Sequence, residues 1–269
     1  MQEGTNDGEY LCLVLDVSAV AWLELQQKEK KNCALAFEQI HTFLNAFLLF
    51  NEANRLSIVL GNGQVAFDDD SDGGDQVACD VESSELAFLR GSAVLRDVLA
   101  SAFKQSEKSD LNLGASMSLA LCRLARVSRE TPRLSRRLCV LCVTPDQDTQ
   151  YVSVMNGIFA AQKESVPVDS LCIGTSSDLL QQAAALTEGV TTQIDGMGTM
   201  LHTLLSVFVS PGSLRSQLHV PKPTSVDFRA RCFCHRKQVD MALVCPVCLS
   251  VFCTRQKKCP TCGSVLQRR

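Results

Sequence analysis

A chain of 269 residues can form one mid-sized domain and a small second module. Its composition, 46% hydrophobic and 20% charged, is usual for a globular protein. The acidic, polar start excludes a signal peptide, and the longest apolar run, at 35–50, is too often interrupted to span a membrane. Residues 1–211 contain 15 Lys and Arg against 27 Asp and Glu, whereas residues 212–269 contain 11 against 2. We therefore expect a soluble intracellular protein whose two ends present oppositely charged surfaces to partners.

Strands and helices are predicted to alternate along the first 209 residues. Apolar runs and turn signals predict strands at 11–15, 55–60, 64–67, 138–143, 166–173 and 190–194. Helical spacing predicts helices at 32–51, 85–103, 113–127, 149–162, 177–186 and 199–209. Ser176 or Ser177 is expected to cap the fifth helix, and Gly189 fits its C-terminal end.

This alternation predicts an α/β fold with a doubly wound, mostly parallel sheet that is covered on both faces. Residues 210–228 contain three prolines and no periodicity, which is typical of a semi-extended linker. The predicted organisation is an α/β domain over 1–210, a linker over 211–230 and a cysteine-rich module over 231–269.

Two polar residues, Asp16 and Ser18, follow the first predicted strand directly. They resemble the start of the Asp-x-Ser-x-Ser motif with which von Willebrand A domains hold a divalent cation through oxygen ligands. The third position is Val20, which has no oxygen to offer, and Ser116 and Asp146 stand in no clear motif where later ligands are expected. We therefore expect Asp16 and Ser18 to form hydrogen bonds with loops at the sheet edge instead of binding a metal ion.

Seven of the fourteen cysteines lie between Cys232 and Cys262, too densely for a chain without a secretory signal to be using them for disulfides. Two CxxC pairs separated by ten residues predict a structural Zn²⁺ site. Its ligands are Cys245, Cys248, Cys259 and Cys262. Four further candidates permit a second, cross-braced site: Cys232, Cys234, His235 and Cys253. The competing arrangement is a ribbon in which Cys232 and Cys234 join the first CxxC pair.

Several sequence strings resemble a known family along most of the chain. They are VDFRARCFCH at 226–235, CPVCLSVFC at 245–253, CPTC at 259–262, AAQK at 160–163, LLQQA at 179–183 and RSQL at 215–218. They are similar to the smaller von Willebrand A-plus-zinc subunits of the transcription and DNA-repair factor TFIIH, and the cysteine string is the most specific part.

The resemblance implies a non-catalytic nuclear subunit of the TFIIH core that acts in RNA polymerase II initiation and nucleotide excision repair. Its partners would be other core subunits, chiefly the larger von Willebrand A-plus-zinc subunit, with DNA contacted indirectly and neither a membrane nor a small-molecule substrate involved. Zn²⁺ would be the cofactor. Two alternatives stay open at this point, a RING-like ubiquitin ligase component and a direct DNA-binding zinc protein. No nucleophile, phosphate-loop or metalloprotease motif argues for an enzyme.

Overall fold

A computed structural model describes residues 8–30, 33–63, 65–68, 111–215, 217–219, 221, 226–235, 237–248 and 250–266. The helix predicted at 85–103 lies outside these residues, as do residues 216, 220 and 222–225 of the proline-containing linker. The described residues form a sheet domain, from residue 8 to 215, and a cysteine module, from residue 226 to 266.

The sheet domain is built on six strands. They are β1 (Glu9–Leu15), β2 (Arg55–Leu60), β3 (Val65–Asp68), β4 (Ser135–Cys142), β5 (Val168–Ile173) and β6 (Thr191–Ile194). Their order is β3-β2-β1-β4-β5-β6, with β3 antiparallel at one edge and every other pairing parallel. The predicted doubly wound, mostly parallel sheet is thus confirmed. Because the chain changes direction of winding between β1 and β4, the carboxyl ends of these two strands flank the switch point at which such folds place ligands.

Helices cover both faces of the sheet. They are α1 (Ala19–Glu29), α2 (Cys33–Phe50), α3 (Leu113–Glu130), α4 (Tyr151–Lys163), α5 (Asp178–Thr187) and α6 (Met200–Thr203), which continues as a π-helical segment, Leu204–Phe208. Buried residues of α1, α2 and α6 pack with Leu11 and Leu13 on one face, and those of α3, α4 and α5 pack with Tyr10 and Cys12 on the other. Burial on both faces explains why β1 reads as an uninterrupted apolar run.

Helix α2 meets the length and composition expected of a membrane span, with a hydropathy of 1.4. In the structure, however, one side of α2 is part of the core. Its fully buried residues are Ala36, Ile40, Phe43, Leu44 and Phe47. An apolar helix that contributes five side chains to a sheet-packed core has a structural reason for its composition.

The two ends of helix α5 can be compared with the capping residues that the sequence predicted. Ser177 accepts a hydrogen bond from the backbone N–H of Leu180, as expected of an N-cap. At the other end the left-handed residue is Glu188, with φ of 59°, and not the glycine that follows it. Gly189 is required for a different reason, because a Cβ there would lie 2.0 Å from the backbone oxygen of Val168. The glycine permits α5 to return close beneath the start of β5.

A buried ionic cluster closes the amino end of the sheet. The guanidinium of Arg137, which is inaccessible to solvent, donates to Glu9 at 2.7 Å, to Asp169 at 3.3 Å and to the carbonyl of Phe208 at 2.9 Å. Arg215, from the segment after α6, pairs with both carboxylate oxygens of Asp169. The first residues beyond α6 are therefore fixed to the sheet domain by charge.

The cysteine module has a much smaller core. Strands β7 (Leu243–Val244) and β8 (Val251–Phe252) form an antiparallel pair, and the buried residues of the hydrophobic cluster are Cys245, Phe252 and Cys259. Phe233 packs against Phe252 edge to face, with ring centroids 6.3 Å apart. So few apolar residues cannot offset the conformational entropy of folding some forty residues, which agrees with a module that needs metal ions for its stability.

Candidate metal centres

The thiols of the two CxxC pairs converge on one point. The Sγ atoms of Cys245, Cys248, Cys259 and Cys262 all lie within 4.8 Å of one another. The Cys245–Cys262 separation is 3.8 Å and the Cys248–Cys259 separation is 3.6 Å. A tetrahedral Zn–S₄ site with bonds of about 2.3 Å has sulfur–sulfur edges of about 3.8 Å. The donor set and its spacing therefore fit Zn²⁺ with four protein ligands and no open coordination position.

Local hydrogen-bond donors favour the thiolate form of two of these cysteines, Cys245 and Cys262. The pKa of Cys245 is lowered to about 6, first because the backbone N–H of Cys248 donates to its sulfur. The pKa of Cys262 is also lowered, chiefly by hydrogen bonding to the hydroxyl of Ser264. Thiolates are the form that binds zinc, so the turns of the module prepare these ligands for a metal ion.

The remaining four candidates form a second cluster. Cys232, Cys234, His235 and Cys253 also have ligand atoms within 4.8 Å of one another. The Cys253 sulfur lies 3.3 Å from the Cys234 sulfur and 3.1 Å from Nδ1 of His235. The structure thus groups Cys232 and Cys234 with His235 and Cys253, and not with the first CxxC pair as a ribbon would require.

The two clusters are interleaved along the chain. The first CxxC pair lies between His235 and Cys253 in sequence, so ligands of one cluster enclose ligands of the other. Strands β7 and β8 link them, since Val244 precedes Cys245 and Phe252 precedes Cys253. The loss of one cluster should consequently disturb the other.

The cysteines of the sheet domain have a different environment. Burial raises the pKa of Cys12 to about 11 and that of Cys139 to about 12. Cys139 packs on the α2 face of the sheet and Cys142 on the α3 face. The CxxC spacing within β4 therefore places its two thiols on opposite faces, as strand geometry requires, and they are core residues.

At the switch point, backbone groups surround the carboxylate of Asp16. Its Oδ2 accepts from the N–H groups of Val143 at 3.0 Å and Thr144 at 2.7 Å, and its Oδ1 accepts from the N–H of Ser18 at 2.9 Å. The side chain is 1% exposed, while Val20 points into solvent at 65%. Asp16 thus joins the loops that follow β1 and β4, which is the structural role expected of it.

The other two residues considered for this edge are also engaged. Ser116 is fully buried and donates to the carbonyl oxygens of Leu60, at 2.9 Å, and Asn112, at 3.0 Å. Asp146 accepts from the hydroxyl of Ser177 and from the N–H of Leu179. Neither side chain is brought to Asp16 as part of a ligand set among the described residues.

An arginine of the cysteine module reaches this edge, which sequence patterns did not indicate. Nη2 of Arg231 lies 3.5 Å from a carboxylate oxygen of Asp178 and 4.0 Å from one of Asp146. The side-chain amide of Gln238 donates to Asp178 at 3.2 Å, and that of Gln182 donates to the carbonyl of Asp227. The module is therefore seated at the carboxyl edge of the sheet, with its own cation beside the acidic residues there.

The sequence model of the family "Transcription factor Tfb4" matches residues 9–263. Among curated relatives, the "General transcription and DNA repair factor IIH subunit TFB4" of Arabidopsis thaliana is 35% identical, over 97% of this chain and 90% of the relative. The "General transcription factor IIH subunit 3" of Dictyostelium discoideum is 36% identical over 84% of this chain, which spans 66% of that relative's length.

Solved structures agree on the fold. The N-terminal domain of TFIIH p34 superimposes with a TM-score of 0.61 at 18% identity, covering 74% of this chain and 97% of that one. A von Willebrand factor type A protein from Catenulispora acidiphila gives 0.52 at 13% identity, over 74% of this chain and 41% of that one. The sheet domain therefore has the von Willebrand A fold. From the match over most of its length, together with the identity to the plant relative, the chain belongs to the Tfb4 transcription factor family.

Proposed function

We propose that this chain is a non-catalytic structural subunit of the TFIIH core in the nucleus. It would act in transcription initiation by RNA polymerase II and in nucleotide excision repair through protein contacts, chiefly with the larger von Willebrand A-plus-zinc subunit. The names of the relatives, which are subunits of general transcription and DNA repair factor IIH, support membership of this complex. The assignment of 1–210 as the A domain, 211–230 as linker and 231–269 as zinc-finger module belongs to the same proposal.

The observation that carries the contact role is the state of Asp16. An A domain that used a cation would need this carboxylate to face an open site with further oxygen ligands. Here it accepts hydrogen bonds from three backbone N–H groups, and Val20 supplies no oxygen. The carboxyl edge of the sheet, where doubly wound folds usually bind ligands, here holds loops and contacts the cysteine module.

Zinc at both clusters is the cofactor part of the proposal. Cys245, Cys248, Cys259 and Cys262 would hold one ion, and Cys232, Cys234, His235 and Cys253 the other. With four protein ligands each, the ions would be structural and would contribute folding free energy of roughly 10–16 kcal/mol per site.

The test is co-expression of the full chain with the larger von Willebrand A-plus-zinc subunit, followed by size-exclusion chromatography and zinc analysis. The native chain should co-elute with the subunit, and Cys245→Ser should lose zinc and elute separately. Cys122→Ser is the matched control, because Cys122 is an exposed thiol of α3 outside both clusters. Normal assembly with undiminished zinc in Cys245→Ser would contradict the proposal, as would nucleotide hydrolysis by the pure chain.

A ubiquitin ligase component is the second candidate, because two interleaved four-ligand clusters are also compatible with a RING-like module. Here the ligands span only Cys232 to Cys262, a compressed spacing. Discharge of ubiquitin from a charged conjugating enzyme, stimulated by the native chain and not by Cys245→Ser, would favour this candidate over the structural role.

A further inference from the structure

The arginines nearest the sheet domain are neutralised within the chain. Arg215 pairs with Asp169, and Arg231 lies beside Asp146 and Asp178. Arg229 contacts Asp227 and Asp240 through its guanidinium. All three positive charges are therefore compensated inside the chain, and the pairs of Arg231 join the cysteine module to the sheet domain.

A second group of basic residues has no such role. We call these four exposed residues the basic rim: Lys237, Arg255, Lys257 and Lys258. Within the described part of the chain, no ion pair involves any of them, and residues 237–266 contain one acidic side chain, that of Asp240. The rim is therefore available to a negatively charged partner.

The same module exposes large apolar side chains. We call them the outer face: Met241 (88% exposed), Leu243 (50%), Val244 (55%), Val247 (68%) and Val265 (71%). Four of the five lie within seven consecutive residues around the first CxxC pair, so they are held by the metal-binding turn and by β7. A concentration of exposed apolar residues on so small a module marks an interaction surface.

Apolar and basic residues are direct neighbours here. Lys258 and Val265 are opposite one another in an antiparallel bridge, which brings a cation next to an exposed branched side chain. Arg255 and Lys257 precede Lys258 on the same exposed segment. The module thus exposes apolar and positively charged side chains close together, and protein-binding sites combine apolar contacts with polar or charged ones.

We propose that the outer face and basic rim bind an acidic, amphipathic segment of another protein. This inference rests on the proposed function, since the segment would belong to a subunit of the same complex. Positive charge alone would equally suit nucleic acid. The five apolar side chains favour a protein partner, because their burial stabilises a complex only against apolar partner groups and they offer little to a phosphate backbone.

The experiment uses the complex assembled from the full chain and its partner subunits. The photo-crosslinking residue benzoylphenylalanine replaces Val244 or Val247 in one set of chains, and Leu49 or Phe159, which are exposed on the sheet domain, in the control set. After irradiation, mass spectrometry should find the first set joined to one segment rich in Asp, Glu and apolar residues, and the control set not joined to it.

The crosslinked segment is then made as a labelled synthetic peptide, and its binding to the full chain is measured by fluorescence anisotropy. The double variant M241S/V247S should weaken binding about tenfold or more, because two apolar side chains no longer become buried against apolar groups of the partner. Leu49→Ser should change it less than about twofold, and added salt should weaken binding to the native chain. Undiminished zinc in the variants shows that the module remains folded.

Four results would overturn the inference: crosslinks to DNA, crosslinks to a basic segment, no crosslink in a fully assembled complex, or equal peptide affinity of M241S/V247S and the native chain. In each case the complex has formed, so the proposed function stands and only this surface is wrongly assigned. A complex that fails to assemble would overturn both proposals.

Discussion

The buried guanidinium of Arg137 permits the sharpest test of how the sheet domain is held together. Truncation by Arg137→Ala removes a charge that is inaccessible to solvent and that contacts Glu9, Asp169 and the Phe208 carbonyl. It also removes the guanidinium stacked 5.9 Å above the ring of Phe47. The carboxylates of Glu9 and Asp169 then remain buried without the positive charge of Arg137.

The expected cost follows from that burial. Removing one partner of a buried ion pair costs about 3–5 kcal/mol. For a domain of this size, that corresponds to a fall in melting temperature of roughly 6–20 °C. Arg136 is the matched control, because its side chain is partly exposed and its contact to Glu164 is a surface pair at 4.0 Å. Arg136→Ala should cost no more than about 1 kcal/mol.

Urea unfolding of the full chain, followed by tryptophan fluorescence, measures the difference. The chain has a single tryptophan, and Trp22 is buried in the sheet domain, so the signal reports unfolding of this domain and not of the cysteine module. Adding Glu9→Gln to Arg137→Ala should restore part of the lost stability, because the uncompensated charge is then absent. Equal stabilities of Arg136→Ala and Arg137→Ala, or further loss on adding Glu9→Gln, would refute the reasoning.

Three further predictions concern other parts of the chain. Asp16→Ala should destabilise the sheet domain by about 2–4 kcal/mol in the same urea assay, because three backbone N–H groups lose a charged acceptor; a loss below about 0.5 kcal/mol would show that the carboxylate does not hold these loops. Arg231→Ala should shift the melting temperature by only about 1–2 °C, since its ion pairs are partly exposed, yet it should speed limited proteolysis between the sheet domain and the cysteine module; unchanged cleavage would mean that Arg231 does not seat the module. Gly189→Ala should cost about 2 kcal/mol or more of stability, because its Cβ would meet the backbone of Val168. Gly157→Ala is the control, since its nearest contact would be 3.5 Å, and it should be neutral or stabilise α4 by up to about 1 kcal/mol. Similar effects of the two substitutions would contradict the close approach at Gly189.

The strand pattern was predictable because most strands are buried on both faces and appear as apolar runs. Helix α1 was missed, since only Trp22 and Leu25 of its residues are buried and the polar face dominates the sequence. The start of β4 was placed too late, at residue 138, because two arginines precede it. Arg137 is nevertheless buried, since Glu9 and Asp169 on neighbouring strands compensate its charge. A hydrophobic pattern cannot indicate such compensation.

The sequence likewise predicted the residues of the candidate metal sites but not all of their contacts. Ligand spacing alone indicated which eight side chains to consider, because each CxxC turn positions two thiols locally. Cys232 and Cys253 are grouped where the segment at Phe233 meets β8, with the N–H of Phe233 donating to the carbonyl of Val251 at 2.8 Å. A strand as short as β8 is not evident from the sequence. The position of Arg231 beside Asp146 and Asp178 joins residues far apart in the chain and requires the seated module. No pattern of neighbouring residues in the sequence indicates either contact.

The metal content of the intact chain tests the central claim most directly. Native mass spectrometry of the full chain should give the mass of the polypeptide with two zinc ions, and Cys259→Ser should lose both ions because the two clusters are interleaved. A chelator should then expose residues 231–266 to protease while the sheet domain stays protected. A metal-free chain whose cysteine module is as resistant to protease as that of the zinc-loaded chain would contradict the account.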